Sequence, residues 1–251
     1  MDSDHRVSCV LPAYNEAASL GDTVERWAAA LGRCTREYEI IVVDDGSEDG
    51  TAVVLRALAD RYDRLRVVTH GTNLGYGAAI VNGFAHAALP LVFFTDADGQ
   101  YEPDDIRLLL NAIPSADLAV GYRRRRADPR LRCMLSRGYN FLARRLLGLT
   151  LRDLNCAFKL MRRETADRLR PESTGFSVNA ELVANAQSAG MRIVEIPVRH
   201  QPRHAGRSTV RPFHVVLSLY GLARLRLRRR AVSVRQRGVD ACSGTSESAF
   251  Q

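Results

Sequence analysis

The feature that most constrains the fold is the alternation of short strand-like runs with helix-like segments over the first 120 residues. The runs are rich in Val, Ile, Leu and Phe, and between them apolar residues recur with helical spacing. Strands separated by helices of this length indicate a mostly parallel, doubly wound sheet, so we expect an α/β fold. The predicted strands are Val7–Leu11, Glu39–Val43, Arg66–Thr69, Leu91–Thr95 and Leu118–Val120, and the predicted helices are 17–31, 50–63, 76–88 and 104–112.

The pattern changes after residue 120, which we take as the boundary between two halves of one domain spanning residues 1–210. The second half, 121–210, begins with four consecutive arginines, Arg123–Arg126. A basic amphipathic helix is predicted over 211–230, and the Ser-, Gly- and Ala-rich residues 231–251 are expected to be disordered. Within the second half we predict helices at 130–148, 164–169 and 179–189 and strands at 156–161 and Met191–Val198.

The two halves carry opposite charge. Residues 1–118 contain 19 Asp and Glu against 9 Arg, whereas residues 119–251 contain 9 Asp and Glu against 27 Arg and Lys. An acidic part beside a basic part suggests that one holds a metal ion and the other meets phosphate or a membrane surface. A solvated basic tail would explain the last residues but not the basic residues at 123–163. The sequence has no basic motif interleaved with aromatic residues, so we do not expect a nucleic-acid partner.

Three sequence features bear on where the protein works. No apolar run reaches the ~20 residues that a membrane span needs, and the start is polar, so neither a transmembrane helix nor a signal peptide is expected. The five cysteines are scattered without a C-x-x-C pair, which is typical of reduced thiols. We therefore expect a cytoplasmic protein, either free of the membrane or attached to the inner face of the plasma membrane.

Polar side chains follow three of the predicted strands. Asp96 and Asp98 come directly after the hydrophobic strand Leu91–Thr95, and such a pair can hold a divalent cation against a diphosphate. Polar turns at 14–16 and 44–47 follow the first two strands. Because ligands of doubly wound sheets bind at the carboxyl ends of the strands, we expect these turns to share one crevice. A carboxylate after the second strand would repel a bare phosphate, so we expect a nucleoside there.

A simpler structural interpretation of several polar residues stays open. Turn or helix-cap roles would explain Asn15 and Ser47, and a solvated loop would explain Arg123–Arg126. The six histidines show no ligand spacing and receive no role. Further residues with a structural alternative are Asn73, Gly75 and Gly77, in a strand-to-helix turn, and Asp153 and Glu181, as partners of neighbouring arginines.

The order of these motifs resembles that of family 2 glycosyltransferases of the GT-A fold. The resembling segments of the first half are P-A-Y-N-E (12–16), V-V-D-D-G-S-E-D-G-T (42–51), N-L-G-Y-G-A-A (73–79) and D-A-D-G-Q (96–100). In the basic half, segments 136–142, 153–160 and 203–208 are similar in particular to dolichol-phosphate and polyprenol-phosphate mannosyltransferases. The resemblance covers about residues 7–210.

The resemblance implies a nucleotide-sugar half at 1–120 and an acceptor half at 121–210. It implies that Asp96 and Asp98 face Mg²⁺ or Mn²⁺, with Gln100 completing the metal shell. Arg203 would close over the donor diphosphate, so Asp98 and Arg203 are the implied catalytic residues. The implied nucleotide-sugar site consists of Pro12, Tyr14, Glu16, Val42, Asp44, Asp45, Asp96, Ala97, Asp98, Gln100, Arg123 and Arg203, and the implied acceptor-phosphate site of Arg123, Arg132 and Ser136.

A phosphate acceptor is favoured by what the sequence lacks. The Q-x-x-R-W motif of sugar-polymerising relatives is absent, and no clear catalytic base is present. A phosphate monoester, whose second pKa is near ~6, is already anionic and needs no base. The family pattern R-x-x-G-x-S-K has Thr209 in place of its lysine here, and Arg207 or Arg211 could replace the lost charge.

We predict an inverting glycosyltransferase that moves mannose from GDP-mannose to a polyprenyl or dolichyl phosphate. The alternatives are a UDP-glucose-dependent polyprenyl-phosphate glucosyltransferase and a family 2 enzyme acting on a saccharide or small-molecule hydroxyl. The predicted partners are a nucleoside-diphosphate sugar, a polyprenyl phosphate, and either a membrane surface or a membrane partner subunit. The helix at 213–230 could lie on that surface or pack on the domain.

Overall fold

The computed structural model describes residues 4–124, 130–203 and 217–228, and of residues 130–132 it describes the backbone. Arg125, Arg126, the segment containing Thr209, and the tail beyond residue 228 lie outside the described residues. Within the described ranges the strands are β1 (Arg6–Ala13), β2 (Glu37–Asp44), β3 (Leu65–Thr69), β4 (Leu91–Thr95), β5 (Leu118–Arg123), β6 (Phe158–Arg162) and β7 (Ile193–Val198). The α-helices are α1 (Ala17–Cys34), α2 (Thr51–Arg61), α3 (Tyr76–His86), α4 (Ile106–Ala112), α5 (Arg130–Leu147), α6 (Arg163–Leu169), α7 (Val178–Ser188) and α8 (217–228).

All seven strands belong to one sheet with the order β3-β2-β1-β4-β6-β5-β7. Strand β6 runs antiparallel to both of its neighbours, and the other pairs are parallel. The predicted α/β fold with a mostly parallel, doubly wound sheet is therefore confirmed. The strand order reverses between β1 and β4, since β2 and β3 lie on one side of β1 and β4 on the other. A crevice forms at such a switch point, outside the carboxyl ends of the strands.

The core lies on both faces of the central strands. In register, Val10 of β1 stands between Ile41 of β2 and Phe94 of β4, and all three are buried. On one face the Trp27 ring of α1 lies 5.1 Å from that of Phe93. On the other face α3 approaches closely enough that a Cβ at Gly83 would lie 2.2 Å from a Val10 methyl. The buried runs of the first half thus form the two-sided core that their near-continuous hydrophobicity predicts.

The two halves share the sheet. Strand β6 from the basic half inserts between β4 and β5, where Lys159 stands opposite Phe94 and Val120. Strand β5 extends to Arg123, three residues beyond its predicted end, because β7 pairs with it up to Val198. Composition changes at residue 120, but the backbone pairing continues through that point.

Helix α8 packs on the domain. Leu222 and Leu225 are buried, and a Cβ at Gly221 would lie 2.5 Å from the Ser177 hydroxyl oxygen. The Arg226 guanidinium donates a hydrogen bond to the carbonyl of Leu146 at the end of α5. The opposite side of α8 remains exposed, with Tyr220 69% accessible. Of the two placements left open for this helix, the described residues show packing on the domain. None of the described helices combines the length and apolarity needed to cross a bilayer.

Candidate functional site

A large cavity opens at the carboxyl ends of β1, β2 and β4. Its volume is about 1360 Å³, which exceeds the ~300–1,000 Å³ of a typical single-ligand pocket. The turns after β1 and β4 form its inner end, and α5, α7 and α8 form its outer wall. The crevice expected from the strand pattern is therefore present, and it has room for two ligands.

Hydrogen bonds join the turns after β1 and β2. Asn15 adopts a left-handed backbone conformation with φ 56°. Its N–H donates to the Ser47 hydroxyl at 3.0 Å, and its side-chain oxygen accepts the N–H of Glu48 at 2.9 Å. The hydroxyl of Thr51 accepts the N–H of Glu16 at 3.0 Å, at the start of α1. The turn interpretation of Asn15 and Ser47 thus describes what these side chains do in the structure.

Asp45 holds the loop that leads into α3. Its Oδ1 accepts the N–H of Leu74, its Oδ2 accepts the N–H of Gly75, both at 2.9 Å, and Nδ1 of His70 lies 2.7 Å from Oδ1. The other ring nitrogen of His70 accepts from the Asn82 amide at 2.8 Å, so Nδ1 carries the proton given to Asp45. Sequence reasoning gave His70 no role, because its partner lies 25 residues away.

The two aspartates after β4 meet Arg203. Asp96 accepts a hydrogen bond from the Tyr76 hydroxyl at 2.8 Å, and Asp98 accepts the N–H of Gln100 at 3.1 Å. One terminal nitrogen of Arg203 lies 3.2 Å from Asp98 and 2.8 Å from Glu16. The predicted catalytic pair, Asp98 and Arg203, is therefore in direct contact.

The chemistry of this carboxylate group fits a divalent cation. Burial and the charge of Asp98 raise the pKa of Asp96 to about 7, and burial raises the pKa of Glu16. The Arg203 guanidinium already occupies a cationic position between two of the carboxylates. Among the described residues no set of three or more His, Cys, Asp or Glu side chains is arranged to hold a metal ion. Asp96 and Asp98 would therefore supply only part of a coordination shell, and a diphosphate or water must supply the rest.

Three predicted site residues lie behind the cavity wall. Val42 is fully buried in β2. Asp44 is buried and accepts the N–H of Ser47 at 3.0 Å. The Gln100 amide is turned toward the carbonyl of Gln201, to which it donates at 3.0 Å. The predicted site residues that do line the cavity are Pro12, Tyr14, Glu16, Asp45, Asp96, Ala97, Asp98, Arg123, Ser136 and Arg203.

Arg123 lines the cavity while bound to Asp153. Its Nε and Nη2 contact the two carboxylate oxygens at 2.6 and 2.8 Å, and the two side chains are only 9% and 10% exposed. The arginine-partner interpretation of Asp153 is therefore correct. For Glu181 it is wrong, because this carboxylate instead accepts the backbone N–H groups of Glu172 and Ser173. Ser136 lies on α5 at the cavity wall, and the side chain of Arg132 lies outside the described part of the chain.

Two glycines let the loop at 172–176 cover the start of α3. Gly77 donates its N–H to the carbonyl of Thr174 at 2.6 Å, and a Cβ there would lie 2.0 Å from the Ser173 carbonyl oxygen. Gly75 has φ +100° and also faces Thr174. These glycines thus join the loop that leads into α3 to the outer wall, beyond merely shaping a turn.

Sequence reasoning missed several cavity-lining residues. Tyr139 and Asn155 lie on the cavity wall, and each has a buried side-chain oxygen without a hydrogen-bond partner among the described residues. Ser218, Gly221 and Arg224 of α8 line the cavity. They are spaced three residues apart, so they lie on one face of the helix. That spacing was available from the sequence, but which face meets the domain depends on tertiary packing.

Comparisons with known proteins bear on the family and the fold. The model of the family described as glycosyl transferase family 2 matches residues 8–170. The undecaprenyl-phosphate 4-deoxy-4-formamido-L-arabinose transferase of Sodalis glossinidius (strain morsitans) is 34% identical over 222 residues, which are 86% of this chain. The chain spans 66% of the length of that curated relative.

Two similar solved structures are of glucosyl-3-phosphoglycerate synthase from Mycobacterium tuberculosis, both 22% identical to this chain. The complex with UDP has a TM-score of 0.64 and covers 88% of this chain and 80% of its own. The complex with Mn²⁺, UDP and glucosyl-3-phosphoglycerate has a TM-score of 0.65, with 87% and 80% covered. At this identity the likeness shows the fold.

Proposed function

This chain belongs to glycosyl transferase family 2, and on that premise we propose that it transfers a sugar from a nucleoside diphosphate to a polyprenyl phosphate with inversion at the anomeric carbon. The observation that carries the proposal is the contact of Arg203 with Glu16 and Asp98 at the inner end of a cavity whose outer wall belongs to the basic half. The relative from Sodalis glossinidius is named for transfer to undecaprenyl phosphate, which supports the acceptor class.

The donor is proposed to bind at the inner end. Pro12, Tyr14 and Asp45 line the part of the cavity next to the carboxyl ends of β1 and β2, where a nucleoside would lie. Asp96, Asp98 and Arg203 would then face the diphosphate. Asp96 and Asp98 would hold a divalent cation, which would supply positive charge to stabilise the departing nucleoside diphosphate. Arg203 moves from its carboxylate partners to the diphosphate oxygens and excludes water from the reacting centre.

The acceptor is proposed to be a phosphate because, among the residues that the structure describes, the acceptor side of the cavity wall offers no available base. Glu181 is engaged by two backbone N–H groups, and Glu172 pairs with Arg228. Glu48 is exposed in the turn after β2, on the donor side. A phosphate oxygen attacks without deprotonation, so the residues it requires are cations and hydrogen-bond donors. Ser136 and Arg224 line the outer part of the cavity and suit that role.

GDP-mannose remains our first proposal for the donor, on the resemblance of the segments around Ser136 and Asp153. UDP-sugars are the second, because the similar solved structures contain UDP. The relative's name adds a 4-deoxy-4-formamido-L-arabinose unit to the candidate sugars. The test incubates the full chain with polyprenyl phosphate and each of GDP-mannose, UDP-glucose and UDP-linked arabinose derivatives, radiolabelled in the sugar, with and without chelator. We expect organic-soluble label from one donor, lost on chelation. Label that remains water-soluble with every donor would contradict a polyprenyl phosphate acceptor.

A membrane contact is proposed at the cavity mouth. Apolar side chains are exposed on α5, including Met134 at 62% and Phe141 at 63%, and on α8, including Leu227 at 66%. Leu135 and Tyr220, from the same two helices, line the cavity. A bilayer against this face would place the acceptor headgroup at the cavity while its chain stays in lipid.

The membrane contact is tested by sedimentation with vesicles of phosphatidylglycerol and phosphatidylcholine. We expect the chain to sediment and Phe141→Asp to reduce the bound fraction several-fold. Val53→Asp is the matched control, since Val53 is 62% exposed on α2, away from the cavity. Equal binding of the two variants would contradict the proposed face.

A further inference from the structure

A buried histidine contacts the aspartate at the nucleoside end of the cavity. The side chains of His70 and Asp45 are only 6% and 4% exposed, and Nδ1 of His70 lies 2.7 Å from Oδ1 of Asp45. Burying a carboxylate is unfavourable unless hydrogen bonds compensate it. Asp45 nevertheless lines the cavity, so the histidine connects the core to the proposed donor site.

The histidine is held at its backbone and at both ring nitrogens. Its N–H donates to the carbonyl of Asp44 at 2.9 Å, which joins the chain after β3 to the end of β2. Nε2 accepts a hydrogen bond from the amide of Asn82 on α3 at 2.8 Å. With Nε2 engaged as an acceptor, Nδ1 carries the ring proton and donates it to Asp45. The imidazole therefore has one tautomer and one orientation.

His70 is the partner of Asp45 that comes from the core. The other two described donors to this carboxylate are the N–H groups of Leu74, on Oδ1, and Gly75, on Oδ2. Residues 71–74 of their loop are exposed. Without the imidazole, the carboxylate would be held by an exposed loop, and the loop by a carboxylate that is free to turn.

The loop itself forms part of the cavity wall. Asn73 and Gly75 line the cavity beside Asp45. The loop also packs on the turn after β2, since a Cβ at Gly46 would lie 2.5 Å from the carbonyl carbon of Thr72. A carboxylate has about four acceptor positions, and the described contacts of Asp45 use two on Oδ1 and one on Oδ2. The position left on Oδ2 suits a hydroxyl or N–H group of a nucleoside.

We propose that His70 is a positioning residue for nucleoside binding and that it acts through Asp45. The histidine fixes the carboxylate, the carboxylate fixes the loop at 72–75, and both border the nucleoside. This inference rests on the proposed binding of a nucleoside diphosphate at the inner end of the cavity.

The experiment measures the Kd of the full chain for GDP, UDP and pyrophosphate by isothermal titration calorimetry with Mn²⁺ present. His70→Phe keeps an aromatic ring but has no donor, and we expect it to weaken the tighter of GDP and UDP about fivefold. Pyrophosphate lacks a nucleoside and would meet Asp96, Asp98 and Arg203, so its Kd should stay within about twofold. Equal weakening of nucleotide and pyrophosphate would indicate a general loss of structure and would overturn the inference.

Two polar variants decide the question if His70→Phe does not fold. The amide nitrogen of asparagine lies as many bonds from Cα as Nδ1 does, so His70→Asn can still donate to Asp45 and should bind nucleotide within about twofold of the unmodified chain. The amide nitrogen of glutamine lies one bond further away, so His70→Gln should show the fivefold loss. The opposite order would contradict the inference. His86→Phe is the matched control, since His86 is exposed at the end of α3, and it should bind normally.

A double variant tests whether the histidine acts through the aspartate. Adding His70→Phe to Asp45→Ala is expected to weaken nucleotide binding no further than Asp45→Ala alone. A further fivefold loss would show that His70 acts independently of Asp45 and would overturn the inference.

The unmodified chain separates this inference from the proposed function. If it binds neither GDP nor UDP, the proposed donor site is wrong and the inference fails with it. If it binds one of them and His70→Phe binds that nucleotide equally tightly, the role of His70 alone is wrong.

Discussion

We expect the first effect of replacing Arg123 by methionine to be a loss of folding stability rather than a loss of ligand binding. The guanidinium contacts both oxygens of Asp153, and both side chains are about nine-tenths buried. The variant removes a cation that compensates this buried carboxylate. Breaking such a pair costs about 3–5 kcal/mol, and in a chain of this length 1 kcal/mol lowers Tm by about 2–4 °C. We therefore expect a fall in Tm of about 6–20 °C.

The assay is thermal unfolding followed by circular dichroism, with the double variant Arg123→Met and Asp153→Leu as the comparison. The double variant removes both charges, so it is expected to regain most of the lost stability. If the double variant also regains turnover, Arg123 supports activity by stabilising the folded protein. If it is stable and inactive, the remaining N–H groups of Arg123 contact a phosphate as the resemblance implies. A single variant as stable as the unmodified chain would refute the argument from burial.

Three further predictions concern the site itself. Asp98→Ala should abolish turnover while Tm stays within about 2 °C of the unmodified chain, whereas Asp22→Ala, at a 70% exposed position, should leave turnover unchanged; retained turnover in Asp98→Ala would remove the cation hypothesis. Gly77→Ala should lower the stability by about 1–3 kcal/mol and should also lower kcat/KM, because the new Cβ would lie 2.0 Å from the Ser173 carbonyl oxygen. Gly71→Ala serves as the control, since a Cβ there meets no atom within 4 Å. Mn²⁺ affinity should fall up to about tenfold per pH unit below about 7, because the cation must displace the proton that Asp96 retains through its raised pKa. The cation-free protein should lose stability as pH rises from 3.8 to about 7, because over this range the folded state binds this proton more tightly than the unfolded chain does. A flat pH profile in calorimetric titration would contradict both expectations.

The strands and the crevice could be predicted from the sequence because both follow from local patterns. Near-continuous apolar runs predicted β1, β2 and β4 to within two residues of their observed ends. The rule that ligands of doubly wound sheets bind at carboxyl strand ends then placed the turns containing Glu16 and Asp98 together, and Arg203 joins them in the structure.

The contacts behind the site could not be predicted, because they depend on residues distant in sequence. His70 supports Asp45 from the end of β3, and nothing in its local sequence distinguishes it from a surface histidine. Lys159 would ordinarily be assigned to the surface, yet strand β6 inserts antiparallel between two parallel strands and buries it. The packing of α8 depends on the fit of Gly221 against Ser177, which periodicity does not specify.

The central claim is that a phosphate, rather than a hydroxyl, attacks the sugar in a single displacement. It is tested most directly by nuclear magnetic resonance of the purified product, which reports the anomeric configuration and the coupling of the anomeric carbon to phosphorus. We expect a sugar phosphodiester of polyprenol with anomeric configuration opposite to that of the donor. Retention of the donor configuration, or an anomeric carbon without phosphorus coupling, would contradict the account.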